Sequence, residues 1–427
     1  MNLKVIILLN VLTFLKLIQA NHHHDHDKAN LKDHHHKKSI EPKFAWHQLL
    51  FKDLPSDSDD LEEEFIPYNN VPMGVSKWGD KLIITVPRRK PGIPSTLNYI
   101  KLKQHSSKHE DNHNIDVPLI PYPNLDVNKL RLTPTPDTLN LVSIYRTTVD
   151  ECDRLWMVDT GLLEYTRNRT YVRSPRILVL DLNKNEFIHQ FEIADELHTP
   201  KSTFASIAVD VTPNHCDQTF AYIPDLSANQ VVVYDMKNQK AWKVNHDSFH
   251  GEPDGGKFDI NGLQFQLPDG IFSIALSPHQ EAGLRTAYYH ALASTNEYSV
   301  STNVLKNQSK FNDNVFIRLG DKGIKQETNC FVMDQKTGVL FYNQVNINAL
   351  ACWNIKKPFN QKNHVQLFND NDRYIYPSDI TSDGHGNIWV MTNKLPFFIF
   401  QGLNSTDINF RIWSFRVSDL ISHTNCA

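Results

Sequence analysis

The feature that most constrains the fold is a short apolar and aromatic run that recurs along the chain. Each run follows a polar turn and is rich in Val, Ile, Leu, Phe, Tyr or Trp, which is typical of a strand after a tight turn. The six runs, at intervals of about 50 to 75 residues, are 82–86, 155–158, 220–223, 287–292, 340–342 and 388–391. This recurrence predicts one equivalent strand in each of six repeated units.

A second pattern, strand then polar turn then strand, follows the recurrent run in several units. It is clearest in residues 176–193 and 230–244. The middle of each segment, 181–185 and 235–239, contains Asp and Asn, which tolerate the backbone conformation of a hairpin turn. Four short antiparallel strands in a repeat form a propeller blade, and no helical pattern of similar length competes. The sequence therefore predicts an all-β fold, a six-bladed β-propeller over residues 65–418, with a C-terminal tail at 419–427.

The N-terminus predicts export. Lys4 precedes the apolar run 5–18, and Ala20 offers a small residue for cleavage, so residues 1–20 are interpreted as a signal peptide. No later stretch is as long and apolar as a membrane span. We therefore expect a secreted, extracellular protein with no membrane partner.

Residues 21–64 have a biased composition and are expected to form a disordered leader. The first part is rich in histidine and the second, 56–64, is rich in Asp and Glu. Imidazoles at this density can also bind Zn(II) or Cu(II), which leaves metal binding open as an alternative. The histidines of the leader are His22, His23, His24, His26, His34, His35 and His36.

Export makes disulfides and N-glycans expected modifications. Three sequons begin at Asn168, Asn307 and Asn404. Of the five cysteines, Cys152 and Cys216 precede equivalent strands of adjacent units, and Cys330 and Cys352 flank the arms of a plausible hairpin. We therefore expect bonds 152–216 and 330–352, although the sequence leaves other pairings open. Cys426 is left over, whether free, disordered or joined to another chain.

Several classes of function lack support in the sequence. A formal charge of −4 without a Lys and Arg stripe argues against nucleic acid as a partner. No GxSxG, P-loop, HExxH or paired CxxC motif is present, so we predict no cofactor and no metal site. In a propeller, a ligand would bind at one mouth of the central channel. Candidate polar residues near strand ends are Asp159, Thr160, Asp225, Asp259, Asn261, Asn343, Ser378, Asp379 and Asn393.

Each candidate also has a structural interpretation, because Asp, Asn and Ser are common turn residues. We expect Asp383 to form a turn, and we expect Trp156 and Trp389 to pack within blades. His290 lies on a recurrent strand, where packing and catalysis are both open.

Several strings resemble the insect Yellow and major royal jelly protein family. They are 71–76 (VPMGVS), 152–161 (CDRLWMVDTG), 222–225 (YIPD), 376–380 (YPSDI) and 383–389 (DGHGNIW), in that order along the chain. The resemblance implies a secreted, often glycosylated, six-bladed propeller with roles in cuticle pigmentation, melanin chemistry, amine binding or nutrition. The string 86–97 is most similar to Yellow-type cuticle proteins.

The resemblance also implies a ligand site. In amine-binding members, a hydroxyl in the Pro-x-Asp motif, a later Asn and an aromatic residue contact the ligand. These positions correspond here to Ser378, Asn393 and Leu395, the last of which departs from the aromatic. Without that ring, about 0.5 to 2 kcal/mol of cation–π stabilisation of an amine is lost. Asp379 is a candidate counterion.

Three functional hypotheses follow from these expectations. The first is a pigmentation protein that binds catecholamine-derived or biogenic amine molecules, with cuticle components as further partners. The second is a tautomerase that converts dopachrome to a dihydroxyindole by acid and base catalysis. The third is a calcium-dependent lactonase with Asn261, Asp379 and Asn393 as part of an oxygen shell, but the segment 71–74 lacks the early Glu ligand of that class.

Overall fold

The computed structural model describes residues 40–54, 63–102, 114–133, 135, 139–165, 168–280 and 283–427. Contacts divide the chain into two compact units, Met1–Glu41 and Pro42–Ala427, and every element named below lies in the second. The predicted signal peptide, the histidine-rich leader and residues 56–62 of the acidic stretch lie outside the described residues. Within the described ranges, no helix is both long and apolar enough to cross a membrane.

Short strands dominate the described part of the chain. The strands are β1 (Phe44–Trp46), β2 (Val75–Trp78), β3 (Lys81–Thr85), β4 (Leu97–Lys101), β5 (Ile120–Pro121), β6 (Ile144–Val149), β7 (Arg154–Asp159), β8 (Leu162–Tyr165), β9 (Asn168–Tyr171), β10 (Arg176–Asp181), β11 (Glu186–Glu192), β12 (Ala208–Thr212), β13 (His215–Asp225), β14 (Gln230–Asp235), β15 (Lys240–Asn245), β16 (Lys257–Ile260), β17 (Leu263–Gln266), β18 (Ile271–Leu276), β19 (Thr286–Ala291), β20 (Asn296–Ser301), β21 (Ile317–Asp321), β22 (Thr328–Asp334), β23 (Val339–Gln344), β24 (Ala349–Asn354), β25 (Val365–Asn369), β26 (Pro377–Ser382), β27 (Asn387–Thr392) and β28 (Phe410–Arg416). The short α-helices are α1 (Leu125–Asn128), α2 (Thr302–Leu305), α3 (Leu395–Phe400) and α4 (Val417–Ile421).

These strands form six antiparallel four-stranded sheets, the blades of a six-bladed β-propeller, and the fold prediction is confirmed. From the inner to the outer strand, the blades are β2–β5, β6-β7-β10-β11, β12–β15, β18–β21, β22–β25 and β26-β27-β28-β1. Two hairpins, β8–β9 and β16–β17, lie outside the blades. The six inner strands line a central channel.

Blade six is formed by strand β1 together with the last three strands, β26, β27 and β28. Strand β1 pairs antiparallel with β28, with Phe44 opposite Ile412, and the fully buried Trp46 indole donates to the Val117 carbonyl at 2.8 Å. The prediction of a disordered leader over residues 21–64 is therefore wrong for residues 44–46, which form a strand. A run of three residues is too short to identify as a strand from sequence, because its pairing partner is the distant β28.

Burial explains why the recurrent runs were visible in the sequence. The two middle strands of a blade are covered on both faces by neighbouring blades, so they are nearly continuous apolar runs, as in β10, β14 and β23. The outer strand β11 instead alternates between exposed and half-buried residues along its whole length.

Adjacent blades are joined near the channel by side chains that bond to backbone groups of the next inner strand. The Thr148 hydroxyl of blade two donates to Ile207 O at 2.6 Å, ahead of blade three. The Ser206 hydroxyl donates to Phe272 O of blade four at 2.8 Å. Between blades five and six, the Asn343 amide donates to a β26 carbonyl at 3.0 Å. These bonds satisfy polar groups that the inner strands leave unpaired.

The turns that lead out of the inner strands of blades two and six share one arrangement. Asp150 accepts hydrogen bonds from backbone amides of its turn and from the Trp156 indole at 2.7 Å. Asp383 does the same with its own turn and with the Trp389 indole at 3.3 Å. The predicted roles of Asp383 in a turn and of both Trp residues in blade packing are therefore confirmed.

The structure contains the predicted Cys152–Cys216 disulfide, but the predicted 330–352 bond is wrong. Cys352 is bonded to Cys426, and Cys330 is an unpaired, buried thiol. Cys330 lies on β22 and Cys352 on β24, and β23 lies between them. Two strand spacings are about 9.5 Å, which is more than a disulfide can bridge between Cα atoms. The tail that holds Cys426 is thus packed against blade five.

Candidate functional site

Arg146 of β6 spans the central channel and separates its two ends. The guanidinium donates to Ser378 O at 3.0 Å and to Ala205 O at 3.1 Å, and it lies 3.3 Å from the Asp379 carboxylate. It also lies 4.8 Å from the ring centre of Phe272. Burial raises the pKa of Asp379 to about 6, although Arg146 lowers it. We refer to Arg146 and Asp379 as the crossbar, because together they join blades two, three, four and six.

The end of the channel where the inner strands begin is called the upper mouth. Three side chains from different elements meet there: Arg89 after β3, Tyr145 of β6 and Glu164 of β8. The Arg89 guanidinium lies 3.3 Å from the Tyr145 hydroxyl and 3.4 Å from the Glu164 carboxylate, and the Tyr145 hydroxyl donates to the same carboxylate oxygen. Burial disfavours the charge on Arg89, but Tyr145 and Glu164 raise its pKa overall.

Asp269, which precedes β18, adds a second carboxyl to the upper mouth. Burial raises its pKa to about 6, while Arg89 lowers it and Glu164 raises it further, so all three side chains interact electrostatically. Among the described residues, the Asp269 carboxyl has no hydrogen-bond partner. A carboxyl with this pKa is about 90% ionised at pH 7 and can both take and return a proton near neutral pH.

Tyr376 interacts electrostatically both with Asp269 and Arg89 at the upper mouth and with Arg146 of the crossbar. Burial raises the pKa of its phenol to about 12, with Asp269 raising it and Arg146 and Arg89 lowering it. Its φ of 49° is unusual for a bulky residue, and its backbone amide is held by Asn348 Oδ1 at 3.0 Å. Such strained positions cluster at functional sites. We define the upper cluster as Arg89, Tyr145, Glu164, Asp269 and Tyr376.

The backbone around the upper cluster is packed too closely for larger residues. At Gly74, an added Cβ would lie 2.8 Å from Tyr145 O and 3.1 Å from Arg146 Cα. A glycine at this point of the 71–76 string therefore lets blade one approach the strand that carries both Tyr145 and Arg146.

Aromatic side chains from two inserted elements accompany the upper mouth. Phe265 of β17 lies 5.2 Å from Phe400 of α3, measured between ring centres. In the same helix, the ring of Phe398 lies 3.9 Å from the Lys90 ammonium, which is also 5.8 Å from the ring of Tyr68. The Lys90 ammonium therefore already lies against the ring of Phe398 in a cation–π contact.

The predicted ligand residues Ser378, Asp379, Asn393 and Leu395 are all buried, and their polar groups bond to protein. The Ser378 hydroxyl and the Asn393 amide donate to backbone carbonyls of the 71–76 segment at 3.0 Å and 2.8 Å. Asp379 accepts from a backbone amide of the same segment at 2.8 Å. Asn393 Oδ1 accepts from the amide of Leu395, the first residue of α3, at 3.0 Å. Their role in ligand binding stays a prediction.

The other candidate polar residues have mainly structural contacts. Asp159 pairs with Arg176 at 2.7 Å, and Asp225 accepts from the amide of Thr203 at 2.9 Å. His290 is fully buried, with Nδ1 2.8 Å from Glu297, and is therefore packed between blades rather than placed at a mouth.

The oxygen shell proposed for calcium gains no support. Asn261 bonds to Asn348 and Asn371, whereas Asp379 bonds to Arg146, and Asn393 has other partners. In the part of the chain that the structure describes, no group of three or more His, Cys, Asp or Glu side chains is placed to hold a metal ion.

Two of the predicted glycosylation sites are exposed. Asn307 Oδ1 accepts from the Ser309 hydroxyl at 2.8 Å, and Asn404 Oδ1 accepts from the Thr406 hydroxyl at 2.9 Å. The side chain of Asn168 lies outside the described residues.

Sequence reasoning named none of the five upper-cluster residues as functional. Arg89 and Tyr376 fall within strings that carried the family resemblance, which is the one sequence signal that points to them. Glu164 lies on β8, outside the blades, and Asp269 lies in the connection before β18; neither belongs to a motif.

The fold and the upper cluster define a class of protein: a six-bladed propeller with proton-donating and proton-accepting side chains at one channel mouth. The family model described as major royal jelly protein matches residues 142–426. The chain belongs to the major royal jelly protein family.

Characterised relatives include Yellow proteins. The chain is 41% identical to L-dopachrome tautomerase yellow-f of Drosophila melanogaster over 364 residues, which cover 84% of this chain and 82% of that protein. It is 32% identical to Protein yellow of Drosophila pseudoobscura pseudoobscura over 397 residues, 91% of this chain and 68% of that protein. Protein yellow of Drosophila melanogaster is also 32% identical, over 91% of this chain and 70% of that protein.

Proposed function

We propose that this protein acts in cuticle pigmentation and melanin chemistry by binding a catechol-derived small molecule at the upper mouth. The observation that carries the proposal is the upper cluster. The guanidinium of Arg89 can donate to quinone or catechol oxygens, and the carboxylates of Glu164 and Asp269 can accept from catechol hydroxyls. The names of the Yellow relatives agree with this role.

A second candidate function is dopachrome conversion, which is favoured by the raised pKa of Asp269 and by the 41% identity to a protein named L-dopachrome tautomerase. Tautomerisation removes a proton from a ring carbon and returns one to a quinone oxygen, so the oxidation state of the molecule does not change. Asp269 would take the proton as a base. The Tyr376 phenol stays protonated at neutral pH because its pKa is about 12, and it can donate.

Secretion and glycosylation form part of the same proposal. The two disulfides fit an oxidising compartment, and the exposed Asn307 and Asn404 fit N-glycan acceptors. We expect the mature chain to begin after Ala20, which N-terminal sequencing would check. Enzymatic deglycosylation should shift the mass of the secreted protein, and less so in Asn404→Gln.

The experiment combines binding and turnover on the mature protein. Dopamine and freshly prepared dopachrome are titrated by calorimetry or fluorescence, and the decay of dopachrome colour is followed against boiled protein. Asp269→Asn is compared with Asp254→Asn, the same change at a fully exposed loop residue. Saturable binding that weakens in Asp269→Asn alone supports the proposed site, and colour decay that follows the same pattern supports the tautomerase.

Two results would count against these proposals. Wild-type protein that unfolds cooperatively but binds neither compound would contradict the binding function. Binding or colour decay that is equal in wild type and in both variants would place the activity away from Asp269.

A further inference from the structure

The channel below the crossbar contains a cavity, and no residue of the upper cluster lines it. It has a volume of about 630 Å³ and runs from Arg146 and Asp379 to the turns where the inner strands end. We call it the lower cavity and its opening the lower mouth. The opening is rimmed by exposed residues of several turns, including Gly79, Glu151 and His385. The volume falls within the usual range for a small-molecule site.

The wall of the lower cavity combines polar side chains with apolar side chains from several blades. Val209 of β12, Ile274 of β18 and Val332 of β22 line it from three different blades. Two hydroxyls in the lining already donate to backbone carbonyls: Thr148 to Ile207 O at 2.6 Å and Thr381 to Val75 O at 3.0 Å. These two hydroxyls are therefore not free to bind a ligand, and the apolar part of the wall can cover an apolar body.

One charged group in the lining differs from the rest. Lys77 of β2 lines the cavity, is half-buried, and has no ion-pair or hydrogen-bond partner for its ammonium among the described residues. Most other charged side chains of the lining have polar partners. These are Arg146 with Asp379, Asp150 with Arg154, Asp153 with the Trp78 indole, Glu151 with His279, Arg285 with Asp210, and Asp383 with its own turn.

The position of Lys77 along its strand sets the orientation of a ligand. Val75, two residues earlier on β2, donates its amide to Asp379 at the floor of the cavity. Two residues of a strand span about 7 Å, so Lys77 lies that much nearer to the lower mouth. An anionic group at Lys77 would leave the rest of the molecule facing the apolar wall.

We propose that the lower cavity is a binding site for a small organic anion, whose carboxylate or sulfonate group pairs with Lys77 and whose apolar body packs against Val209, Ile274 and Val332. The site is separate from the upper mouth, because the crossbar lies between them. The proposal does not depend on the function proposed for the upper cluster.

The test uses a matched pair of fluorescent probes with the mature, full-length protein. One is 1-anilinonaphthalene-8-sulfonate, and the other is N-phenyl-1-naphthylamine, which has the same rings without the sulfonate. In Lys77→Met, the affinity for the sulfonate probe should fall about tenfold and that for the neutral probe should not change. Lys240→Met, a change at an exposed lysine of β15, should alter neither. Val332→Trp fills the cavity and should weaken both probes.

The outcomes separate this site from the upper mouth and from the outer surface. Asp269→Asn should leave the affinity for the sulfonate probe unchanged. The proposal is overturned if the wild-type protein shows no saturable sulfonate binding, or if Lys77→Met binds the sulfonate probe as tightly as wild type. It is also overturned if Val332→Trp, with a normal unfolding midpoint, retains wild-type affinity for both probes.

Discussion

Replacing Cys426 by Ser should destabilise the propeller by removing the bond that fastens the end of the chain to blade five. Cys352 and Cys426 are 74 residues apart in the sequence. For a loop of this length, the chain-entropy relation gives about 4.5 kcal/mol at 25 °C, as an upper value. A propeller of about 390 residues has an unfolding entropy of about 0.8 kcal/mol per kelvin, so the midpoint of thermal unfolding should fall by about 5 °C.

Thiol titration under denaturing conditions gives an independent readout, with Cys330→Ala as the matched control. The structure has one unpaired thiol, Cys330. Cys426→Ser should therefore contain two titratable thiols, and Cys330→Ala should contain none. Cys330→Ala keeps both disulfides and should lose only about 1 kcal/mol, because it removes a single buried atom.

The alternative pairing reverses these counts, so the assay can refute the reasoning. If Cys330 were bonded to Cys352, Cys426→Ser would contain no titratable thiol and Cys330→Ala would contain two. An unchanged melting temperature in Cys426→Ser, with the second thiol exposed, would instead show that the loop entropy is offset in the unfolded chain.

Three further changes test the site and the closure of the fold. Ligand binding or turnover that needs the Asp269 carboxylate should fall as the pH drops through about 6, by about tenfold per pH unit below it. In a pH profile of Asp269→Asn, this decrease at acidic pH should be absent. Arg146→Met leaves Asp379 buried without its cation and should cost about 3 to 5 kcal/mol in denaturant unfolding; a loss under 1 kcal/mol would contradict the role of the crossbar. Trp46→Ala should cost about 3 to 5 kcal/mol by the same measurement, whereas Leu50→Ala, at a residue 43% exposed, should cost less than about 1 kcal/mol.

The blades could be predicted because their signal is local. A middle strand such as β23 is buried on both faces and must be apolar at nearly every position, and the turn before it must be polar. Strand β1 carries no such signal, since three residues become a strand only by pairing with β28 at the other end of the chain. The error in the pairing of Cys352 has a similar cause, because the sequence does not show which strand lies between two others.

The upper cluster could not be predicted for a geometric reason. The five residues lie in five separate parts of the chain and meet only because the ring of blades closes. Glu164 comes from the β8–β9 hairpin, and the others come from connections or strand starts: Arg89, Tyr145, Asp269 and Tyr376. A family resemblance can transfer a motif position by position, as it did for Ser378 and Asn393. It does not identify charges that become neighbours through the fold alone.

The departure at Leu395 bears on which catechol derivative would fit the upper mouth. Family resemblance places an aromatic ring there for a bound ammonium, and this chain lacks it. The nearby Phe398 cannot replace that ring, because the Lys90 ammonium lies 3.9 Å from its centre. Arg89 adds a second fixed cation beside Tyr145. A ligand with a free ammonium therefore finds the face of Phe398 already occupied and meets two cations, whereas a quinone that carries a carboxylate can accept from Arg89. We therefore expect dopachrome to bind more tightly than dopamine, and the reverse order would refute this assignment of the upper mouth.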